Sequence, residues 1–404
     1  MTVPRFDYDI CVAGGGLAGM IAAAAFGASG YTVLCADPAA PVTDRDAPRA
    51  DLRTTALLQP SRNFLQEIGI WQRLEEHAEP LQVMRIVDAG GEENTPRTIK
   101  NFDASDIGDE PFGWNLPNWL LRREMAAHLA SMPSVDLRFG TGVSRVQTRS
   151  SEAKLLLDDG SSARVRMVIG ADGRNSVVRR DAGISVRTSR YGQKALAFAV
   201  THPIPHENVS TEIHRSGGPF TLVPLPDHEG RPCSAVVWME RGPEAQRLLS
   251  LSFEEFNAEA SERSCYLFGP LTLASQKTVW PIISQIAETF HAERTALVAE
   301  AAHVMPPIGA QGLNTSIGDI RALQSAFSGP RDALGDQETL AKYSRGRWPE
   351  VQFRVAGVDA LNRASMAKGQ LFRDARKLGL DALYGAPFVR KTAMRLGLGT
   401  AVAS

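Results

Sequence analysis

Three stretches of this chain carry residue types at spacings that chemistry can use. The first is Gly14-Gly15-Gly16-Leu17-Ala18-Gly19, a G-x-G-x-x-G run, with Asp37 following 18 residues past Gly19. Glycine permits the tight turn at Gly14, a close approach of backbone to pyrophosphate at Gly16 and close helix–strand packing at Gly19. Asp37 offers a carboxylate to a ribose diol, so the pattern predicts dinucleotide binding. The second stretch is Gly170-Ala171-Asp172-Gly173-Arg174-Asn175-Ser176. Asp172 reads as a ribose or reductant-loop contact, or as a turn aspartate capping the helix after it. The third is Ala299-Glu300-Ala301-Ala302-His303, then Met305-Pro306-Pro307-Ile308-Gly309-Ala310-Gln311-Gly312-Leu313-Asn314. Glycine-rich backbone at a helix start aims N–H groups at negative charge. His303 has no sequence-near Asp or Ser to complete a triad and reads as a loop-ordering residue. There is no H-E-x-x-H, Walker A or nucleophile elbow, so no proton-transfer residue is assigned and no metal site is expected.

Elements must hold these stretches in place. Tyr8–Ala13 reads as a buried strand, the alanine-rich run to Ser29 as a helix closed by Gly30, and Thr32–Ala36 as a second strand. Pro60–Ile68 reads as a helix, Gly90–Glu110 as a loose surface segment, and Gly113–Leu129 as irregular until a helix begins at Asn118. Lys154–Leu157 and Ala163–Ile169 flank an Asp-Asp-Gly turn as a hairpin. Ala195–Trp238 looks like a separate sheet, Phe253–Glu262 a helix and Thr295–Val298 a short strand. From Glu338 the pattern is helical with a break near Pro387.

The 404 residues carry 44 Lys+Arg against 45 Asp+Glu, a formal net charge of −1, which excludes a generally basic nucleic-acid binder. Cys11, Cys35, Cys233 and Cys265 are scattered without a C-x-x-C pair, which indicates neither a disulfide framework nor zinc and favours a reducing compartment. Ile10–Ala36 carries no charge, yet its six glycines and the preceding Asp7 and Asp9 argue for strand–turn–helix–strand rather than a membrane span or signal peptide. The expected location is cytoplasmic.

The order and spacing of the glycine motifs resemble the group A flavoprotein aromatic monooxygenases. Within them the chain is similar to the ubiquinone-biosynthesis (UbiH-like) hydroxylases. The particular stretches are Asp51-x-Arg53-x-x-Ala56-Leu57, His206-Glu207-Asn208 through Pro219-x-x-Leu222-x-Pro224-Leu225, Ala301-Ala302-His303 with Gln311-Gly312-Leu313-Asn314, and Gly357-Val358-Asp359-x-Leu361-Asn362-Arg363. The likeness runs from Tyr8 to about Gly399. One departure stands out: the family has Gly-Asp before Ala-Ala-His, and here the pair is Ala299-Glu300.

The resemblance implies an α/β fold like that of p-hydroxybenzoate hydroxylase. A Rossmann-like FAD-binding domain is built from 1–75, 105–185 and 280–345. A mainly β substrate domain comes from 76–104 and 186–279, and helices from 346–404. It implies FAD as cofactor, with Gly14, Gly16, Leu17, Ala18, Gly19, Asp37, Arg53, Arg122, Asp172, Gly173, Glu300, Pro307, Ala310, Gln311, Gly312, Leu313 and Asn314 around it. Pro307, Gly309, Ala310 and Gln311 form the flavin-facing loop, and its N–H groups would stabilise the anionic reduced flavin. NAD(P)H would reduce the flavin, O₂ would add at C4a, and the terminal oxygen of the hydroperoxide would pass to the ring of a polyprenylated phenol. Candidate substrate walls are Tyr191, Gln193, Phe220, Leu222, Pro224 and Trp238, each equally readable as sheet core. Two alternatives stay open: a soluble aromatic-acid hydroxylase, with a basic anchor in its pocket, and a non-catalytic flavin-binding scaffold subunit of a quinone-biosynthesis complex, motivated by Ala299-Glu300. The basic residues between Arg363 and Arg395, interleaved with Leu371, Phe372, Leu378, Leu380 and Leu383, add an expectation of peripheral contact with the inner face of the membrane.

Overall fold

The computed structural model describes residues 6–399 apart from Asp46, Pro48, Arg49, Leu52, 92–94, Ser216, Ser328 and 367–368. The chain opens with β1 (Tyr8–Ala13), α1 (Leu17–Ala28) and β2 (Val33–Asp37). It continues through β3 (Thr54–Leu58), α2 (Gln59–Glu67), β4 (Glu79–Leu81), β5 (Val83–Asp88), β6 (Thr98–Asp103), β7 (Gly113–Pro117) and α3 (Asn118–Ala130). Next come β8 (Val135–Phe139), β9 (Val143–Arg149), β10 (Glu152–Leu157), β11 (Ser162–Gly170) and α4 (Val177–Asp181). Long strands follow: β12 (Val186–Thr201), β13 (Val209–His214), β14 (Pro219–His228) and β15 (Arg231–Arg241), then α5 (Gly242–Ser250) and α6 (Phe253–Arg263). After them run β16 (Thr272–Leu273), β17 (Thr278–Ala287), β18 (His291–Ala292), β19 (Thr295–Leu297), α7 (Ala299–Ala302) and β20 (His303–Val304). The last helices are α8 (Gln311–Ala326), α9 (Gln337–Met366), α10 (Gln370–Gly385) and α11 (Pro387–Leu398).

Among the described residues these strands make three sheets. The first has the order β18-β19-β11-β1-β2-β8, in which β19, β11, β1, β2 and β8 run parallel, with β10 paired antiparallel to β11 and β9 to β10. Strands buried on both faces need unbroken apolar sequence, which Ile10-Cys11-Val12-Ala13 and Val33-Leu34-Cys35-Ala36 supply. Helix α1 is buried from Gly19 to Phe26, and its small residues let it lie close to the sheet: a Cβ at Gly27 would stand 2.8 Å from Val135. The second sheet, β20-β17-β12-β15-β14-β13-β5-β6 with β16 beside β12, is largely antiparallel. One of its faces packs on α5 and α6 through Leu196, Phe198, Phe220, Leu222, Trp238, Leu248 and Phe256. A third sheet, β3-β7-β4, lies between them.

Three readings from the sequence are corrected here. Gly90–Glu110 is not loose throughout, because β6 pairs antiparallel with β5; its Lys100 and Asn101 are typical of a protected sheet edge and hide the alternation. Gly113–Pro117 is a strand, and Gly113 is required there because a Cβ would sit 2.4 Å from the Leu57 carbonyl oxygen. The second sheet does not stop at residue 279: β17 runs to Ala287 and β20 joins it, while β4 goes to the third sheet. Helix α5, unforeseen, supplies part of the cover that keeps the second sheet's core dry.

Candidate active site

Two helices open onto one cavity of about 1220 Å³ between the first and second sheets, larger than the ~300–1,000 Å³ usual for a single small-molecule pocket. Helix α1 starts at Gly16 with no side-chain cap and no acid in its first turn, leaving its first N–H groups for a ligand. Gly14, at φ +104°, turns the chain so tightly that a Cβ would lie 2.4 Å from the Ala171 carbonyl oxygen. A Cβ on Gly16 would meet nothing within 4 Å, so the cradle is open at that point. Asp37 closes the loop: its Oδ2 accepts from the Gly15 N–H at 2.7 Å and its Oδ1 from Ala39 N–H at 2.9 Å. The second helix, α8, begins after Ala310 in the left-handed region, again without a side-chain cap or first-turn acid.

Charged groups gather between the two helix ends. Asp51 takes two hydrogen bonds of 2.7 Å from Arg53 and lies 3.4 Å from Arg122, with Asn118 Nδ2 donating at 3.2 Å. Burial works to raise the Asp51 pKa, but Arg53 above all, then Arg122, hold the carboxyl below the usual carboxylate range. Arg53 also lies over the Trp280 ring, 5.2 Å from its centroid, so it bridges the first sheet's site to the second sheet. Asp172 spends Oδ2 on capping α4, accepting from Val177 N–H at 2.7 Å and Val178 N–H at 3.2 Å. The capping half of the earlier alternative applies, and it leaves Oδ1 buried at the cavity wall without a protein partner.

His303 turns out to have the acidic partner that the local sequence lacks. Its Nε2 lies 2.6 Å from Asp319 Oδ2, and Arg347 donates to Asp319 Oδ1 from Nε at 3.1 Å and from the terminal nitrogen at 2.9 Å. Asp319 is fully buried; burial opposes its charge, yet His303 and then Arg347 keep its carboxyl below the ordinary value. The cluster ties β20, α8 and α9 together behind the loop that runs to Ala310. Asp319 and Arg347 were missed in the sequence because they lie 16 and 44 residues beyond His303, and no local spacing signals such a meeting.

Ala299 has φ +55°, the left-handed region where a Cβ costs about 1–2 kcal/mol and where a glycine would be unstrained. Glycine would also loosen the unfolded chain, by about 0.4–1 kcal/mol. Ala299→Gly is accordingly expected to stabilise the apo-protein by up to about 1 kcal/mol, read as a raised thermal midpoint. A lower midpoint would show that the alanine is accommodated without strain. Glu300 is exposed and lines the cavity near Arg53, whose charge it favours.

Of the expected cofactor residues, Gly14, Gly16, Leu17, Ala18, Asp37, Arg53, Arg122, Asp172, Gly173, Glu300, Pro307, Ala310, Gln311, Gly312 and Leu313 all line the cavity, as does Gly309. Gly19 and Asn314 do not. Gly19 packs against the Gly14 carbonyl, and Asn314 laces β3 to α8 by donating to Ala56 O at 2.7 Å and accepting from Leu58 N–H at 2.9 Å.

The six expected substrate walls are corrected: Tyr191, Gln193, Phe220, Leu222, Pro224 and Trp238 do not line the cavity. Side chains alternate along a strand, and the large apolar members of β14 and β15 face α5 and α6. The cavity receives the opposite parity, Thr221, Val223 and Val237, with Met84, Ile86 and Trp280 from neighbouring strands. Tyr191 instead bonds Asp359, and Gln193 is held by Asn362 at 2.9 Å. The missed signal was α5: an amphipathic helix there demands an apolar sheet face, which claims the bulky side chains.

The lining fits FAD. An open glycine cradle meets a helix N-terminus, Asp37 stands at the end of β2, and two buried polar atoms, Asp172 Oδ1 and Arg122 Nε, have no protein partner. Such orphaned groups are costly unless a ligand satisfies them. A dinucleotide site at the carboxyl ends of parallel strands, roofed by a second sheet, defines a flavoprotein of the p-hydroxybenzoate-hydroxylase-like fold. The chain belongs to the FAD binding domain family, which matches residues 7–356. It is an FAD-dependent monooxygenase. It is 31% identical over 401 residues to the ubiquinone hydroxylase UbiL of Rhodospirillum rubrum, covering 97% of this chain and 90% of that one. It is 24% identical to the 3-demethoxyubiquinol 3-hydroxylase of Escherichia coli, over 97% and 98% of the two chains. Among solved structures, p-nitrophenol 4-monooxygenase PnpA from Pseudomonas putida DLL-E4 shares the fold with a TM-score of 0.79 and 19% identity, over 98% and 99% of the chains.

Proposed function

We propose that this flavoprotein hydroxylates the aromatic ring of a polyprenylated phenol, a precursor of ubiquinone, using NAD(P)H and O₂. The observation that carries the reading is the cavity's two-part lining. The polar end beneath the glycine loop suits a dinucleotide, and the remainder is mainly apolar, running past Val223, Ile86 and Phe102 to Leu383 of α10 and Met394 of α11. The names of the similar ubiquinone hydroxylases support the same substrate class. Bound FAD supplies the redox chemistry, taking electrons from NAD(P)H and passing one oxygen atom of O₂ to the ring.

The chain's own residues hold, orient and shield. The N-terminus of α1 and the Gly14–Gly16 cradle bind the pyrophosphate, and Asp37 and Asp172 Oδ1 accept from ribose or ribityl hydroxyls. Arg122 adds charge beside them. The backbone N–H groups at the start of α8 stabilise negative charge on the cofactor. The Asp319 cluster keeps that loop in place. Thr221, Val223 and Val237 on the second sheet keep water from the reacting ring. The first sheet with its helices thus serves FAD, and the second sheet with the C-terminal helices serves the substrate. An aromatic acid fits less well, because the charged side chain that the second sheet presents to the cavity is Glu212, an anion, where an acid substrate needs a base. Contact with a membrane surface and with other subunits of quinone biosynthesis belongs to the same reading.

The test is turnover by the FAD-loaded protein with a detergent-dispersed polyprenyl phenol. One hydroxylated product per NAD(P)H oxidised, with the mass gain of a single oxygen, is expected. Oxidation of NAD(P)H that yields only hydrogen peroxide with every such phenol, together with unchanged ubiquinone in a deletion strain, would overturn the assignment.

A further inference from the structure

The mouth of the cavity carries an apolar collar. Phe353 (75% exposed), Leu361 (60%), Phe388 (83%) and Leu396 (50%) all stand on α9 and α11. Phe353, Leu361 and Leu396 also line the cavity, so the collar borders its opening rather than lying on a remote face. Isolated exposed apolar residues need no explanation, but several together at the rim of an apolar cavity do. Helix α11 forms one wall of that opening through Met394 and Leu398. It carries Arg390, Lys391 and Arg395 and no acidic residue.

The basic residues expected to hold a membrane are, for the most part, already engaged. Arg376 bonds the buried Asp88 at 2.7 Å, Lys377 pairs with Asp381 at 3.0 Å, Arg363 with Asp359 at 2.9 Å and Arg390 with Asp106 at 3.2 Å. Arg373 donates to the Gly90 carbonyl at 3.3 Å. Lys368 and the side chains of Leu371 and Phe372 lie outside the described residues. Changing Arg373, Arg376 and Lys377 to Glu would therefore break the junction of α10 with β5 instead of probing a free surface.

We infer that the α9–α11 collar is the docking surface of this protein for a lipid bilayer, inserting its apolar side chains so that the cavity opens directly into the acyl region. The inference rests on the proposed polyprenylated substrate and names where that substrate enters. A bilayer is the occupant that both covers the collar and leaves a path for a lipid-dissolved tail. A second copy of the chain seated there would close the mouth. Lys391 on the acid-free α11 adds a cation toward anionic headgroups, while insertion of the collar supplies the larger share.

The experiment compares the FAD-loaded wild type with Phe388→Ser/Val389→Ser, two exposed positions on α11 that do not line the cavity. Both proteins are sedimented with vesicles of phosphatidylcholine containing phosphatidylglycerol. The wild type is expected to bind, and the variant to bind about tenfold or more weakly, consistent with loss of buried apolar area. FAD content and turnover of a detergent-dispersed polyprenyl phenol should match in the two proteins. Equal sedimentation, or a wild type that stays in the supernatant, overturns the docking surface. So does a dimer of the wild type, seen by light scattering, that the variant loses. A wild type without turnover in detergent instead overturns the proposed substrate, whatever the vesicles show.

Discussion

Asp319→Ala is expected to lower the stability of the protein by about 3–5 kcal/mol, the cost of removing one partner from a buried charge cluster. Arg347, with its guanidinium bonded to Asp319 and to the Thr315 carbonyl, would keep its charge in a buried place without its main counter-ion. His303 would lose its 2.6 Å partner, and the Ala299 N–H, which donates to the same carboxylate at 3.3 Å, would lose its acceptor. The backbone at the start of α7 and the loop to Ala310 would both be released. Chemical denaturation of the apo-protein measures the effect; a loss below about 1 kcal/mol would mean that the cluster contributes little net stability. Asp319→Asn separates charge from shape, because it keeps the side-chain volume and an acceptor oxygen.

The same carboxylate predicts a pH dependence. His303 and Arg347, against the opposing effect of burial, hold its folded pKa below that of the unfolded chain, about 3.9 for an aspartate. A depressed carboxylate pKa contributes stability that is fully present above the unfolded value and is lost as pH falls through the folded one. The wild type should therefore lose stability below about pH 4 more steeply than Asp319→Asn. Parallel acid limbs in the two proteins would contradict the depressed pKa.

Gly19→Ala is expected to weaken FAD binding at least 100-fold, about 2.7 kcal/mol. The new methyl would stand 1.9 Å from the Gly14 carbonyl oxygen, well inside van der Waals contact, so backbone must move. Gly14 has no room behind it, since Ala171 already stands against it. The displacement falls on the loop that approaches the pyrophosphate, although Gly19 itself lies outside the cavity wall. Gly16→Ala is the informative partner. Its Cβ meets no protein atom within 4 Å, so the apo-protein should fold with unchanged stability while the methyl occupies the space needed by phosphate. Titration of apo-protein with FAD, followed by flavin absorbance, reads both variants. Wild-type affinity in Gly19→Ala would show that the loop can yield without loss.

How much of this was legible beforehand depends on how far apart the interacting residues lie. The βαβ start, the glycine cradle and Asp37 lie within one short stretch, where turn geometry, helix start and strand end follow from local residue types. The hairpin of β10 and β11 and the helix after Asn118 were readable for the same reason. The glycines at 113 and 19 were visible as glycines, yet only the neighbouring backbone at Leu57 and Gly14 explains why no Cβ is tolerated there.

The sequence by itself pointed to a dinucleotide site, because backbone N–H groups at a helix start need only local geometry to bind phosphate, and the resemblance carried by its glycine motifs implied FAD. Tertiary structure decided which face of the second sheet lines the cavity. A strand's two faces alternate, and the packing of α5 and α6 claimed the bulky side chains for the core, leaving Thr221, Val223 and Val237 to the cavity. It also decided that His303 has a partner, by bringing Asp319 and Arg347 from two separate helices to one buried point. And it decided which C-terminal residues remain available at the surface: Asp88, Asp106, Asp359 and Asp381 engage much of the basic charge, and the apolar collar is left open around the cavity mouth.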